Sequence, residues 1–527
     1  MRPRRKPKAR GPKILEAQEQ QARFDEFGMV ALRKGWSIMP RRYCWPLFPL
    51  LLLLLALVPA IQAQSHGRIV TPQGEFNSLT EALNLAESGD TIEVYGGVYD
   101  EPLLLDKSVN LVGYDWPVID GGGRGTVVKL VAPDISLRGF VIRNSGDSLA
   151  EENSGIAVEA PGAVLESNRL EDTLFGIYLR EAAGSTIRDN TITSKDLPVP
   201  RRGDPIRVWY SNDVLIEDNV VNKGRDVVLW YSERLTVRNN EVSEGRYGLH
   251  FMYCDDATIE NNLLTNNSVG TFLMYSRRLH LFGNTIAHNR GPSGFGVGLK
   301  DMDDAIIENN LFLDNRIGAH LDNSPREVNS IGRFAGNVFA FNDVGVNLMP
   351  SVRHNQFVSN SFVDNEEQVG IDGGGGRSQD NVWTIDGQGN YWSDYVGYDG
   401  DADGLGDVPY KAERLFENLM DQNSSLRLFL YSPAEQAVDF AARAIPFVKP
   451  QPKMMDEVPL MEPVMPEDLP AVPEASQQPM WLISLGMLLL AVFILSLATI
   501  KRSKTKERGL RLLNRQMNSD LGSTISQ

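Results

Sequence analysis

Short apolar runs of period two, broken by Gly, Asn and Asp turns, fill the chain between Thr126 and Asn360. One phrase recurs: Gly-Ile-Tyr-Leu at 176 to 179, Gly-Leu-His-Phe at 248 to 251, Gly-Thr-Phe-Leu at 270 to 273 and Gly-Val-Asn-Leu at 345 to 348. Each is followed by a second short run ending in Asn, at Asn168, Asn190, Asn219, Asn240, Asn262, Asn284, Asn310, Asn337 and Asn360, with gaps of 21 to 29 residues. A coil of this length cannot bury its apolar side alone and must stack on its neighbours. The pattern predicts an all-β fold, a right-handed parallel β-helix with coils of ~22 residues. In it Leu249 and Phe251 point inward, and the Asn column forms a structural ladder at one corner. Ser78 to Ala86, with Glu81 three residues after Ser78, predicts a capped helix over the first coil, and Ile92 to Val94 begins the coils.

The flanks divide the rest. Leu47 to Ala60 is an apolar run behind Arg41 and Arg42 and ahead of Ala63, which reads as a secretory signal, with an N-terminal anchor as the alternative and Met39 as the favoured start. Met480 to Ile500 is long enough to cross a bilayer of ~30 Å, and the basic residues from Lys501 onward place the C-terminus in the cytoplasm. The expected division is an extension and signal over 1–63, the β-helix over 64–430, a flexible Pro-rich acidic linker over 431–479, a transmembrane helix over 480–500 and a basic tail over 501–527. The net charge of −16 understates the acidity of the exported part, because basic residues concentrate before Arg42 and after Ile500. That excludes nucleic acid as a partner and suits cations or basic proteins. Cys44 and Cys254 are the only cysteines, and Cys44 lies in the signal, so no internal disulfide framework is expected.

Aligning the coils brings outward positions into columns. One runs Arg207, Val228, His250, Phe272, Gly298, His320, Asn347; its neighbour runs Arg180, Trp209, Trp230, Met252, Met274, Lys300, Asp322, Met349. Tyr210, Tyr231, Tyr253 and Tyr275 follow the second column. Large apolar residues stacked at ~4.8 Å on an outer face mark an interface. Within it His250, Met252 and Met274 form a soft donor set of the kind that selects Cu(I), with Cys254 as a further ligand if the alternation continues through the turn. The competing reading is a docking surface of Trp209, Trp230, Tyr231, Tyr253, Tyr275 and Met349. Met454, Met455, Met461 and Met465 offer further thioethers in the linker.

Asp399, Asp401, Asp403 and Asp407 fit four places of a calcium loop, but Tyr410 stands where the bidentate Glu belongs, so an Asx-rich turn is the alternative. For β-helix lyase or epimerase chemistry, Lys300, His320 and Asp322 are the nearest candidates, while Asp255-Asp256 and Asp303-Asp304 read as turn formers. No repeated carboxylate pair points to catalysis, and the chain is read as a non-enzyme.

The coils, the phrase Tyr247-Gly-Leu-His-Phe-Met-Tyr-Cys-Asp-Asp256, Gly298-Leu-Lys-Asp301, and Gly389-Asn-Tyr-Trp-Ser-Asp-Tyr395 leading to Gly406-Asp-Val-Pro-Tyr410 resemble the NosD family of nitrous oxide reductase maturation proteins over roughly His66 to Leu430. The resemblance implies a periplasmic assembly factor. It would work with an ABC transporter's ATPase and permease and with a copper chaperone, delivering copper to the reductase's copper-sulfur cluster. The C-terminal membrane segment departs from the family pattern; it suits a tether to such a transporter, or a surface carbohydrate-binding protein that stacks sugars on Trp209, Trp230 and Tyr231.

Overall fold

The computed structural model describes residues 67–71, 76–373, 380–445, 447, 450–472, 484–496 and 508. The chain divides into two units, Met1–Gln64 and Ser65–Gln527. The expected signal falls in the first and lies outside the described residues, as does the basic tail apart from Arg508.

From Gly67 onward the chain winds into a right-handed parallel β-solenoid of about 13 turns, with three sheets of 13, 12 and 13 strands. Within one turn the chain passes from a long strand such as Tyr247–Met252 to Thr258–Glu260 and then Leu263–Thr265, before Val269–Met274 starts the next. Every pairing between turns is parallel, so Leu249 and Phe251 stack in the interior with the same positions of neighbouring coils. The solenoid begins one strand earlier than the periodicity suggested, because Gly67–Val70 pairs with Thr91–Tyr95. Helix α1 (Leu79–Leu85) carries Ser78 as its N-cap, with the Ser78 hydroxyl accepting from Glu81 N, and adds Leu79, Ala82 and Leu83 to the core.

Polar ladders hold two corners. On the first, each Asn Oδ1 accepts from the backbone N and Nδ2 of the preceding rung, as Asn284 does from Asn262 at 2.9 Å each. Nδ2 of each rung also donates to an interior carbonyl, Val237 O in the case of Asn262. Every polar atom of the buried amide is thereby satisfied, which offsets the cost of burying it. A second ladder, Asn267, Asn289, Asn315, Asn342 and Asn365, follows the same rule at the next corner.

The Gly389-Asn-Tyr-Trp phrase closes the solenoid. Asn390 is the last rung of the first ladder, and the Trp392 ring stacks between Phe362 and Tyr410 at 4.3 Å from each. Gly389 is required there, because the Asp456 carboxylate lies 1.9 Å from where a Cβ would stand. Helix α2 (Leu415–Gln422) then packs Phe416 and Met420 into the buried set.

The segment expected to be a flexible linker is ordered where it is described. Helix α3 (Pro433–Ala444) precedes a strap in which Met455–Asp456 pairs antiparallel with Tyr410–Lys411. The strap then runs back along the third sheet: Val464 exchanges two hydrogen bonds with the Ser361 hydroxyl, and Thr285 Oγ1 donates to Pro470 O at 2.7 Å. Met454 belongs to the core and Lys453 is buried against Glu367 and Asp421. Composition read this stretch as solvated; its backbone partners lie up to 185 residues away. Among the described residues no helix is long and apolar enough to cross a membrane. Residues 484–496 are helical with exposed side chains including Met487, Leu488 and Leu495, and the remainder of 480–500 lies outside the described residues.

Candidate functional site: an aromatic and thioether face

The long-stranded second sheet places the two outward columns side by side in the register Val228↔His250↔Phe272 and Trp209↔Trp230↔Met252↔Met274↔Lys300. Met252 and Met274 are therefore direct neighbours on adjacent strands, which lie ~4.8 Å apart. Both are half-buried. Met349, expected on the same face, is half-buried against the core.

His250 points outward by alternation yet is only 7% exposed. Trp230 meets its ring edge-on at 5.2 Å, Tyr247 does so at 4.9 Å, and Phe272 lies nearly parallel at 6.3 Å. Neither ring nitrogen makes a hydrogen bond, and the Trp230 indole N–H beside it is buried without one as well. Buried polar atoms are rarely left in that state. The nearest charged group is Asp226, whose Oδ2 is 3.9 Å from His250 Nδ1. Burial would raise the Asp226 carboxyl, but the hydrogen-bonded Arg246 guanidinium, with the His250 ring beside it, leaves it lowered from its ordinary value. Gly298 keeps the face closed, since a Cβ there would stand 2.6 Å from the Phe272 ring and 3.0 Å from the Phe295 ring.

Beside the thioethers, Tyr210, Tyr231, Tyr253 and Tyr275 form a stack with centroid spacings of 5.0, 5.1 and 5.1 Å and interplanar angles of 12° to 16°. All four occupy left-handed backbone, with φ between 48° and 55°. That conformation costs an L-residue about 1–2 kcal/mol, and each stacked pair returns about 0.5–1.5 kcal/mol. Trp209 joins the stack to the columns, 5.4 Å from Tyr231 and 5.5 Å from Trp230. Tyr210 and Tyr253 are about half exposed.

The left-handed Tyr253 also overturns the expected role of Cys254. The turn breaks the alternation, so the Cys254 side chain faces the interior, is 0% exposed and belongs to the core, on the opposite side of the sheet from the outward His250 and Met252 columns. Its Sγ donates to Leu229 O at 3.0 Å, and its backbone N donates to the Ser276 hydroxyl. It fills a place in a column otherwise made by Ser211, Ser232 and Ser276, and burial pushes its thiol up to about 12.

Each of the enzyme-like candidates already has a partner. Lys300 Nζ is ion-paired with Asp322, while His320 stacks on Phe295 at 4.4 Å with Nδ1 3.2 Å from Asn347 Nδ2. Burial lowers the His320 imidazole from its usual value. Asp255 and Asp256 pair with Arg277 and Arg278, and Asp303 accepts from the backbone of Arg326 and Glu327. In the acidic loop, Asp399, Asp401 and Asp403 bring carboxylate oxygens within 4.8 Å of one another. Asp407 is not in that group; it accepts from Gly400 N. Asp399 accepts from Ala402, Asp403 and Gly404 N, which holds it below its ordinary pKa, and Asp403 accepts from Leu405 N.

A family model described as periplasmic copper-binding protein (NosD) matches residues 192–397, a span that contains the whole face described above. A Pseudomonas aeruginosa protein named probable ABC transporter binding protein NosD is 30% identical over 410 residues, covering 72% of this chain and 90% of that one. A Stutzerimonas stutzeri protein of the same name is 27% identical over 385 residues, covering 69% and 85%. Among solved structures, the A-module of a mannuronan C-5 epimerase from Azotobacter vinelandii aligns at 14% identity and a TM-score of 0.38 over 57% of this chain and 92% of that one.

Proposed function

The chain belongs to the NosD family of periplasmic copper-binding proteins, and from that premise we propose that it carries Cu(I) as cargo on the His250, Met252 and Met274 face, as an accessory to nitrous oxide reductase maturation. The observation that carries the reading is a buried imidazole with neither nitrogen hydrogen-bonded, next to a pair of register-matched thioethers. Thioether and neutral imidazole are the donors that favour Cu(I), and the surrounding rings exclude water that would promote its oxidation. Trp209 and the exposed tyrosine stack form the rim on which a partner docks, here a copper chaperone, the reductase, or the ATPase and permease assembly of an ABC transporter. The relatives' names support the last of these.

The same proposal sets the solenoid in the periplasm, tethered to the cytoplasmic membrane through the segment around residues 484–496, whose exposed apolar side chains support that role. It treats the Asp399 loop as an Asx turn, because backbone N–H groups already bond the Asp399 and Asp403 carboxylates.

Anaerobic titration of the purified full-length chain with Cu(I) against a colorimetric chelator tests the reading. Wild type should withdraw copper from the chelator, and a Met252→Leu, Met274→Leu double variant should not. Failure of wild type to compete, joined by binding of oligosaccharide, would replace the reading with a sugar-binding one.

A further inference from the structure

The imidazole at this site has a carboxylate beside it that cannot leave. Asp226 is 2% exposed, and its Oδ1 accepts from Arg246 Nε at 2.8 Å and from Tyr247 N at 3.3 Å, while its Oδ2 is ion-paired with the same guanidinium. The guanidinium in turn lies 4.6 Å over the Tyr247 ring, which meets His250 edge-on. Asp226 Oδ2 is thus fixed on the Nδ1 side of a ring that Trp230 and Phe272 also confine.

A neutral imidazole carries one N–H and one lone pair. A fixed carboxylate attracts the N–H and repels the lone pair, and carboxylate partners of this kind orient metal-binding histidines. We propose that Asp226 is a positioning residue for the His250 site: it holds the hydrogen on Nδ1 and leaves the Nε2 lone pair to meet the cation. This rests on the Cu(I) reading of the face. The separation of 3.9 Å shortens to a hydrogen bond when Nε2 is ligated, because donation of the lone pair makes the Nδ1–H a stronger donor.

Long-range 1H–15N correlation spectra of the full-length chain with 15N-labelled histidine read the tautomer directly, with His250 assigned by loss of its signals in a His250→Gln variant. The wild type should show His250 as the Nδ1–H tautomer without any metal. Asp226→Asn should lose that bias and weaken Cu(I) binding on the order of 10- to 100-fold, with Asp226→Glu recovering part of both. An Nε2–H tautomer in wild type would overturn the proposal, as would a D226N protein with unchanged tautomer and unchanged Cu(I) affinity. A wild type that takes no Cu(I) yet shows the Asp226-dependent Nδ1–H tautomer would sink the copper reading and leave the positioning intact.

Discussion

Asp456 Oδ2 accepts hydrogen bonds from Asn390 N at 2.7 Å and from Asn390 Nδ2 at 3.3 Å, so its carboxylate occupies the place that the next asparagine's Oδ1 takes on every earlier rung. Trp392 Nε1 and Thr384 Oγ1 donate to the same carboxylate. A residue from the C-terminal strap therefore terminates a ladder that begins nearly 290 residues earlier, at Asn168.

Replacing Asp456 by Leu should leave buried donors on Asn390 and Trp392 without acceptors and cost about 3 kcal/mol or more. Asp456→Asn keeps an acceptor oxygen at the rung and should cost about 1 kcal/mol or less, since burial already raises the carboxyl above its ordinary value and a neutral amide avoids that desolvation. Urea unfolding of the two variants beside wild type checks the order. Equal loss in both would show that the charge, and not the ladder geometry, matters.

The first Asn ladder was legible because one residue type recurs once per coil. The second was equally visible in principle, since Asn267, Asn289, Asn315, Asn342 and Asn365 each follow a first-ladder Asn by five positions, and that spacing was missed. The outward columns were legible because strand alternation holds within Tyr247–Met252 and Val269–Met274. Alternation fails at the left-handed Tyr253, so the condition on which Cys254 would join the ligand set is not met. The burial of His250 was not legible either. It depends on rings from Trp230, Tyr247 and Phe272 folding over a position that is outward by count. The strap escaped notice because Pro and acidic residues read as solvated, while its anchors at Asn390, Ser361 and Thr285 are set only by the three-dimensional stack.

Cys254→Ser should be nearly silent. Serine is already the residue at neighbouring rungs of that column, so stability should change by about 1 kcal/mol or less and Cu(I) competition should be unchanged. The native thiol, pushed up to about 12 and fully buried, should resist thiol reagents until the protein unfolds. A C254S protein that loses copper would return the thiol to the ligand set.

Asp204 gives a pH dependence with a definite sign. Burial raises its carboxyl to about 6, against the opposing pull of Arg225. The folded state thus holds this proton more tightly than the unfolded chain. Its contribution to stability is fully present below the ordinary value of 3.8 and is lost as pH rises through about 6. The stability difference between wild type and Asp204→Asn should therefore shift against wild type as urea unfolding is repeated from pH 4 to pH 7. A difference that moves in wild type's favour over that range would contradict the assignment.

The acidic loop should be indifferent to calcium. Adding calcium, or removing it with a chelator, should leave the unfolding temperature unchanged, because the Asp399 carboxylate is already occupied by three backbone N–H groups. An unfolding temperature that climbs with calcium concentration would show binding to the native state and restore the ion to Asp399, Asp401 and Asp403.

X-ray absorption spectroscopy of the full-length chain loaded anaerobically with one equivalent of Cu(I) tests the central claim most directly. The account predicts copper with both nitrogen and sulfur neighbours, the sulfur contribution lost in the Met252→Leu, Met274→Leu variant and the nitrogen contribution lost in His250→Gln. Copper without sulfur neighbours in wild type, or a spectrum unaltered by either variant, would contradict it.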